Sequence, residues 1–214
     1  GNNMSSSATN GIYNYGAGDA ATATDRAIGF ISSGSATKSG NVYVQLTNNG
    51  SSAINSFTIS YNVEKYRMGT NPAGFSIQMY YSTDGTSWTN AGNSFLTSFP
   101  ADATTIGYDS APGATVPVTN AILSYSLPAG SSLYLAWNYS VTSGSTTSSA
   151  QALGIDDVSI TATGAASPII IVNGTLTPFS TYTGIPSAHQ TYTLSGQNLT
   201  GNITVTAPTG FALS

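Results

Sequence analysis

The chain has 214 residues, of which 40% are hydrophobic and only 6% charged, with a formal net charge of −4. Globular domains usually carry ~25% charged residues, so hydroxyls and amides, with 23 glycines and 13 tyrosines, take the place of ions on this surface. Four Lys and Arg against eight Asp and Glu leave no basic patch to neutralise phosphates, which argues against nucleic acid as a partner, and the absence of cysteine excludes disulfides, a thiol nucleophile and a thiolate metal site.

No apolar run approaches the ~20 residues of a membrane span, and Gly1 to Asn10 has neither the basic start nor the apolar stretch of a signal peptide. An export signal would therefore lie outside this chain. Strand patterns dominate from there. Val42, Val44 and Leu46 alternate with Tyr43, Gln45 and Thr47, and Phe57, Ile59, Tyr61 and Val63 alternate with Thr58, Ser60 and Asn62. Phe75, Ile77, Met79 and Tyr81 repeat the pattern up to a turn at Asp84-Gly85. Leu123, Tyr125 and Leu127 lead into Pro128-Ala129-Gly130, and Leu133, Leu135, Trp137 and Tyr139 follow. A period of two predicts strands with one buried face. Leu46, Phe57, Ile59, Ile77, Leu135 and Trp137 are the expected core. Asn48-Asn49-Gly50, Asn71-Pro72 and Pro112-Gly113 supply turns between the strands. Many strands without an amphipathic helix predict an all-β antiparallel sandwich, of immunoglobulin or jelly-roll type.

The stretch from Leu153 to Thr161 closes this first unit. Ile155 and Val158 are three apart, so they cannot both point inward along a regular strand. Either a bulge lies at Asp156-Asp157, or the strand changes its buried face there. The small residues Ala165-Ala166-Ser167-Pro168 read as a linker. A second unit opens at Ile169, with strands expected over residues 189–194 and 203–205. At about 47 residues it is shorter than the ~100 of a sandwich domain and is expected to be incomplete. The expected organisation is a module over residues 1–164, a linker over 165–168 and a partial domain over 169–214.

Several motifs occur in order: Asp25-Arg26-Ala27-Ile28-Gly29, Tyr61 through Glu64 to Tyr66-Arg67, Tyr80-Tyr81-Ser82 with Asp84-Gly85, Leu127-Pro128-Ala129-Gly130, and Ile155-Asp156-Asp157-Val158. Together they resemble the extracellular jelly-roll modules of large secreted and surface proteins of the phylum Bacteroidota. The closing IDDV is also similar to the end of MAM domains. Residues 168–214, with Tyr192-Thr193-Leu194-Ser195-Gly196 and Thr209-Gly210-Phe211, resemble the first half of an Ig-like repeat that often accompanies such modules. The resemblance implies an extracellular or cell-surface location and type IX secretion. It also implies a longer exported polypeptide extending in both directions, and contact with a secretion or surface-anchoring protein.

No GxSxG, HExxH or P-loop occurs. The only histidine, His189, has no acid nearby in sequence and reads as a strand residue. No catalytic residue is assigned, and the chain is expected not to be an enzyme. The resemblance implies a structural Ca²⁺ near the IDD strand, with Asp156, Asp157 and Asp25 as candidate oxygen ligands. Asp157 or Asp25 could instead accept backbone N–H groups or pair with Arg26 or Arg67. Glu64 is expected to pair with an arginine. Tyr43, Tyr80 and Tyr134 have parity opposite to the core residues of their strands. Outward aromatics beside Asn and Gln make a platform for sugar rings, or merely cover a sheet face; Trp88, after a turn, could be inside or outside. Asp109-Ser110-Ala111 matches a short O-glycosylation pattern of exported Bacteroidota proteins and marks Ser110 as a modification site. The expected function is an adhesion or glycan-binding module. A passive spacer, or an ancillary module of a hydrolase whose catalytic domain lies elsewhere, are the alternatives.

Overall fold

The computed structural model describes residues 3–19, 21–32, 39–164, 168–199 and 201–213. The chain divides into two compact units, Gly1–Gly164 and Ala165–Ser214. Most of the expected linker, residues 165–167, lies outside the described residues.

The first unit is an all-β antiparallel sandwich. Its strands are β1 (Gly11–Gly16), β2 (Arg26–Ile31), β3 (Ser39–Thr47), β4 (Ile54–Arg67), β5 (Phe75–Ser82), β6 (Thr89–Asn90), β7 (Leu96–Phe99), β8 (Ala114–Leu123), β9 (Ser132–Val141) and β10 (Ala152–Gly164). One sheet has the order β1-β2-β10-β4-β8 and the other β3-β9-β5-β6, with β7 also pairing β5. The chain changes sheet at each step from β2 to β5 and again from β7 to β10.

The alternation that predicts strands also fills the core. Phe57, Ile59, Tyr61 and Val63 of β4 face Ile77 and Met79 of β5 and Leu133, Leu135, Trp137 and Tyr139 of β9, all at most 3% exposed. Each such side chain stabilises the fold by about 1.5–3 kcal/mol relative to exposure. The Tyr61 ring meets Trp137 edge-on at 5.7 Å, and its hydroxyl donates to the Phe95 carbonyl at 3.0 Å. Leu46 departs from the expectation. It is only partly buried, because β3 is an edge strand and packs against the core from one side. Pro117 sits within β8, the opposite edge of the other sheet, where the missing N–H costs no inter-strand bond.

Charge is concentrated at one end of β4. Lys65 pairs with Asp102 at 2.6 Å, and Asp102 also accepts from Gln151 Nε2 at 2.7 Å and from the Gly69 amide at 2.9 Å. Burial works to raise the Asp102 carboxyl, but the bonds from Lys65, Gln151 and Gly69 outweigh it and hold it below the usual range. Arg67 is almost fully buried and donates to the carbonyls of Ser5, Ser6 and Ala150. Glu64 is not held by an arginine in this way: Tyr66 donates to it at 2.5 Å and Thr115 at 3.4 Å. Residues adjacent on a strand alternate between faces, and that separates Glu64 from the partners of Arg67.

The second unit pairs β11 (Ile169–Asn173) antiparallel with β12 (Thr193–Gln197). Residues 203–205 are not a strand, and His189 lies exposed in the connection before β12. Of the strand expected over residues 189–194, only Thr193 and Leu194 enter β12, where they pair with Asn173 and Val172.

Candidate functional site

Inward and outward residues of β3, β9 and β5 are separated by parity, and the register shows what shares the outer face. Tyr43 on β3 and Tyr80 on β5 both stand opposite Ala136 of β9. Tyr134 lies one row along, between Gln45 and Ser82. In the next row on the other side, Asn138 lies between Asn41 and Gln78. The structure therefore brings Tyr43, Tyr80 and Tyr134 onto one face of one sheet. With strands ~4.8 Å apart, the backbones of Tyr43 and Tyr80 are about 10 Å apart across Ala136. Tyr43 is 59% exposed, whereas Ala136 between the rings is 2% exposed, so the face has a shallow floor with aromatic sides.

Polar side chains tie the rows together. Asn138 Nδ2 donates to Asn41 Oδ1 at 2.8 Å, and Gln45 Nε2 donates to Ser132 Oγ at 3.2 Å. The outward positions Ser39, Asn41, Tyr43, Gln45 and Thr47 of β3, Ser132 to Ser140 of β9 and Ser76 to Ser82 of β5 carry no ionisable acid or base other than tyrosine.

Trp88 completes the cluster: its ring lies 5.3 Å from that of Tyr43. The turn after β5 delivers it. Asp84 Oδ1 accepts the amides of Thr86 at 2.8 Å and Ser87 at 2.7 Å and the Ser82 hydroxyl at 2.8 Å. Ser82 Oγ in turn accepts the Gly85 amide at 2.9 Å. Gly85 has φ +72°, a conformation that favours glycine, and it lies against the Tyr134 ring. The Ser87 and Thr86 amides and the Ser82 hydroxyl hold the Asp84 carboxyl well below its usual range. The sequence marks Trp88 only as a residue after a turn; the Asp-Gly signal with a preceding serine shows that the turn is tight, not where it points.

The candidate cation ligands lie on the other sheet. A bulge does occupy Asp156-Asp157: the β10–β4 register shifts between Asp156 and Ser159, and Asp157 has φ +51°. The bulge turns Asp157 to Asn62, whose Nδ2 donates to Asp157 Oδ2 at 2.9 Å. Asp156 accepts the Asp157 amide at 2.8 Å and lies beside the Asp25 carboxyl. Burial pushes the Asp156 carboxyl up to about 6, opposed by the Asp157 amide and reinforced by the Asp25 contact and by the charges of Asp157 and Glu64. Asp25 and Asp156 are thus brought together and Asp157 is directed away. Among the described residues, no group of three or more His, Cys, Asp or Glu side chains converges on one metal position. Ser110 is exposed in a bend before β8.

No protein-family model matches the chain, and no curated protein is similar to it in sequence.

Proposed function

We propose that this chain is a non-catalytic binding module of an exported protein, which holds a neutral glycan on the outer face of β3, β9 and β5. The observation that carries the reading is the composition of that face: Tyr43, Trp88, Tyr80 and Tyr134 around Ala136, bordered by Asn41, Gln45 and Asn138. Aromatic faces take the C–H side of a sugar ring, and amides exchange hydrogen bonds with its hydroxyls. The strands of the face carry no cation to attract a carboxylate or sulfate, and the nearest fixed charge, the Asp84 carboxylate beside Ser82, repels one, which favours an uncharged sugar.

The order β2-β10-β4-β8 opposite β3-β9-β5-β6 supports a jelly roll, whose eight strands form two Greek keys. It accords with the resemblance to extracellular modules and, through it, with type IX export and an Ig-like second unit. Asp25 and Asp156 are the carboxylates that would hold a structural Ca²⁺, since hard oxygen donors already meet there. The exposure of Ser110 supports its reading as a glycosylation site.

A glycan array probed with the whole chain tests the reading. Neutral oligosaccharides should be retained over uronic or sulfated ones of the same length. Retention of only anionic glycans, or of none, would favour a spacer or an ancillary role.

A further inference from the structure

The sheet that carries the bulge has an unfilled lane. Strand β10 is paired with β4 along nearly its whole length, from Ala152 to Gly164. On its other side β2 pairs only with Leu153, Gly154 and Ile155. β2 ends at Arg26: the Ala17 amide still bonds the Asp25 carbonyl across the β1–β2 pair, and the Gly18 amide then donates to the Ala111 carbonyl. Beyond Ile155, no described strand pairs with this edge of β10. Residues 158–164 therefore present a row of backbone N–H and C=O groups in the direct continuation of an existing ladder, and all but Ile160 are exposed.

A cleft opens beneath the same edge. Its volume is about 570 Å³, and it runs between the two sheets with Val42, Val44, Val158 and Ile160 among its apolar walls and Arg26, Asp156 and Asp157 among its charged ones. Val158 and Ile160 share parity and face it, while Ser159 between them faces the opposite way. Any occupant must satisfy both features at once. It needs backbone donors and acceptors at strand spacing, and apolar groups at every second position on one side. An extended polypeptide has both.

We propose that residues 158–164 of β10 are a docking edge for an extended peptide segment of a partner protein. The segment adds as a strand in the lane that β2 vacates, and its alternate apolar side chains fill the inter-sheet cleft. The docking edge lies on the other sheet from the aromatic face, although Tyr43 also lines the cleft, and the proposal does not depend on the glycan reading. Its ligand is chosen by backbone pairing and apolar alternation, not by sugar chemistry.

A synthetic peptide with the sequence of residues 54–61 is a suitable probe, because that segment already pairs with the opposite edge of β10. The whole chain should bind it saturably, and amide exchange should slow within residues 158–164. Val158→Lys puts a charge at the cleft on a position that is 44% exposed and should weaken binding at least tenfold. Ile122→Lys, on the exposed side of β8, should leave binding unchanged. No saturable binding, binding indifferent to Val158→Lys, or protection on a different strand edge would overturn the proposal. So would protection of residues 158–164 that comes from self-association of the chain without peptide, which would make a second copy the occupant.

Discussion

Single carboxylates in this chain differ in the sign of their effect on stability, and their surroundings decide it. Asp156 is pushed up to about 6, above the ~3.9 of an unfolded aspartate. Between these values the folded chain holds a proton that the unfolded chain has released, so stability falls as pH rises through the window. Asp156→Asn should therefore raise the melting temperature at pH 8 in cation-free buffer and leave it nearly unchanged near pH 3.5. A melting temperature that drops at pH 8 would show that the ionised group is favourable. Added Ca²⁺ should stabilise the parent chain at pH 8 and not the Asp25→Asn/Asp156→Asn double variant; no effect on the parent would remove the cation from the account. Asp102 has the opposite sign. Its carboxyl is held below the usual range, so its contribution is complete above ~4 and is lost as pH falls further. Asp102→Ala leaves the Lys65 ammonium buried without its partner and should cost about 3 kcal/mol in urea unfolding. A loss under about 1 kcal/mol would mean that water reaches the pair and replaces the carboxylate.

At the scale of elements, alternation made β4, β5 and β9 legible, because both of their faces obey a period of two over a long run. The same parity placed Tyr43, Tyr80 and Tyr134 outward, although nothing local told which strands were neighbours. Other elements were hidden for physical reasons. In β2, Gly29 interrupts the apolar pattern because Leu153 and Gly154 approach too closely for a Cβ. In β8, Pro117 and the exposed Val116 and Ile122 belong to an edge strand whose outer side faces solvent. The pairing of Lys65 with Asp102 spans 37 residues, and only the folded loops bring them together. The turn 83–88 is the element on which the aromatic face depends. Asp84→Ala removes the acceptor of the Thr86 and Ser87 amides and should release Trp88 from Tyr43. Because Trp137 is buried in the core, a red shift of tryptophan emission would report Trp88. Since the Asp84 carboxyl is held low, the parent chain should show the same shift only at a pH well below the ~4 of an ordinary aspartate. An unchanged spectrum in Asp84→Ala would show that ring packing alone holds the turn.

Across the whole first unit, the sandwich assigns different work to its two outer faces. Loops and charged groups cover much of the β1-β2-β10-β4-β8 sheet near Tyr66 and Arg67, while the β3-β9-β5-β6 sheet keeps an aromatic and amide surface in water. The expected ligand residues were legible because the fold needs only parity to point them outward. The candidate cation ligands Asp156 and Asp157 were legible only as a bulge, since the direction of the Asp157 carboxylate depends on its φ. Affinity electrophoresis through a neutral polysaccharide that the array identifies is the most direct test of the central claim. The parent chain should be retarded, while Tyr43→Ala and Tyr80→Ala should each lose most of the retardation with unchanged melting temperatures, and Val158→Lys should behave as the parent. Full retardation of the Tyr43→Ala/Tyr80→Ala double variant would contradict binding at this face.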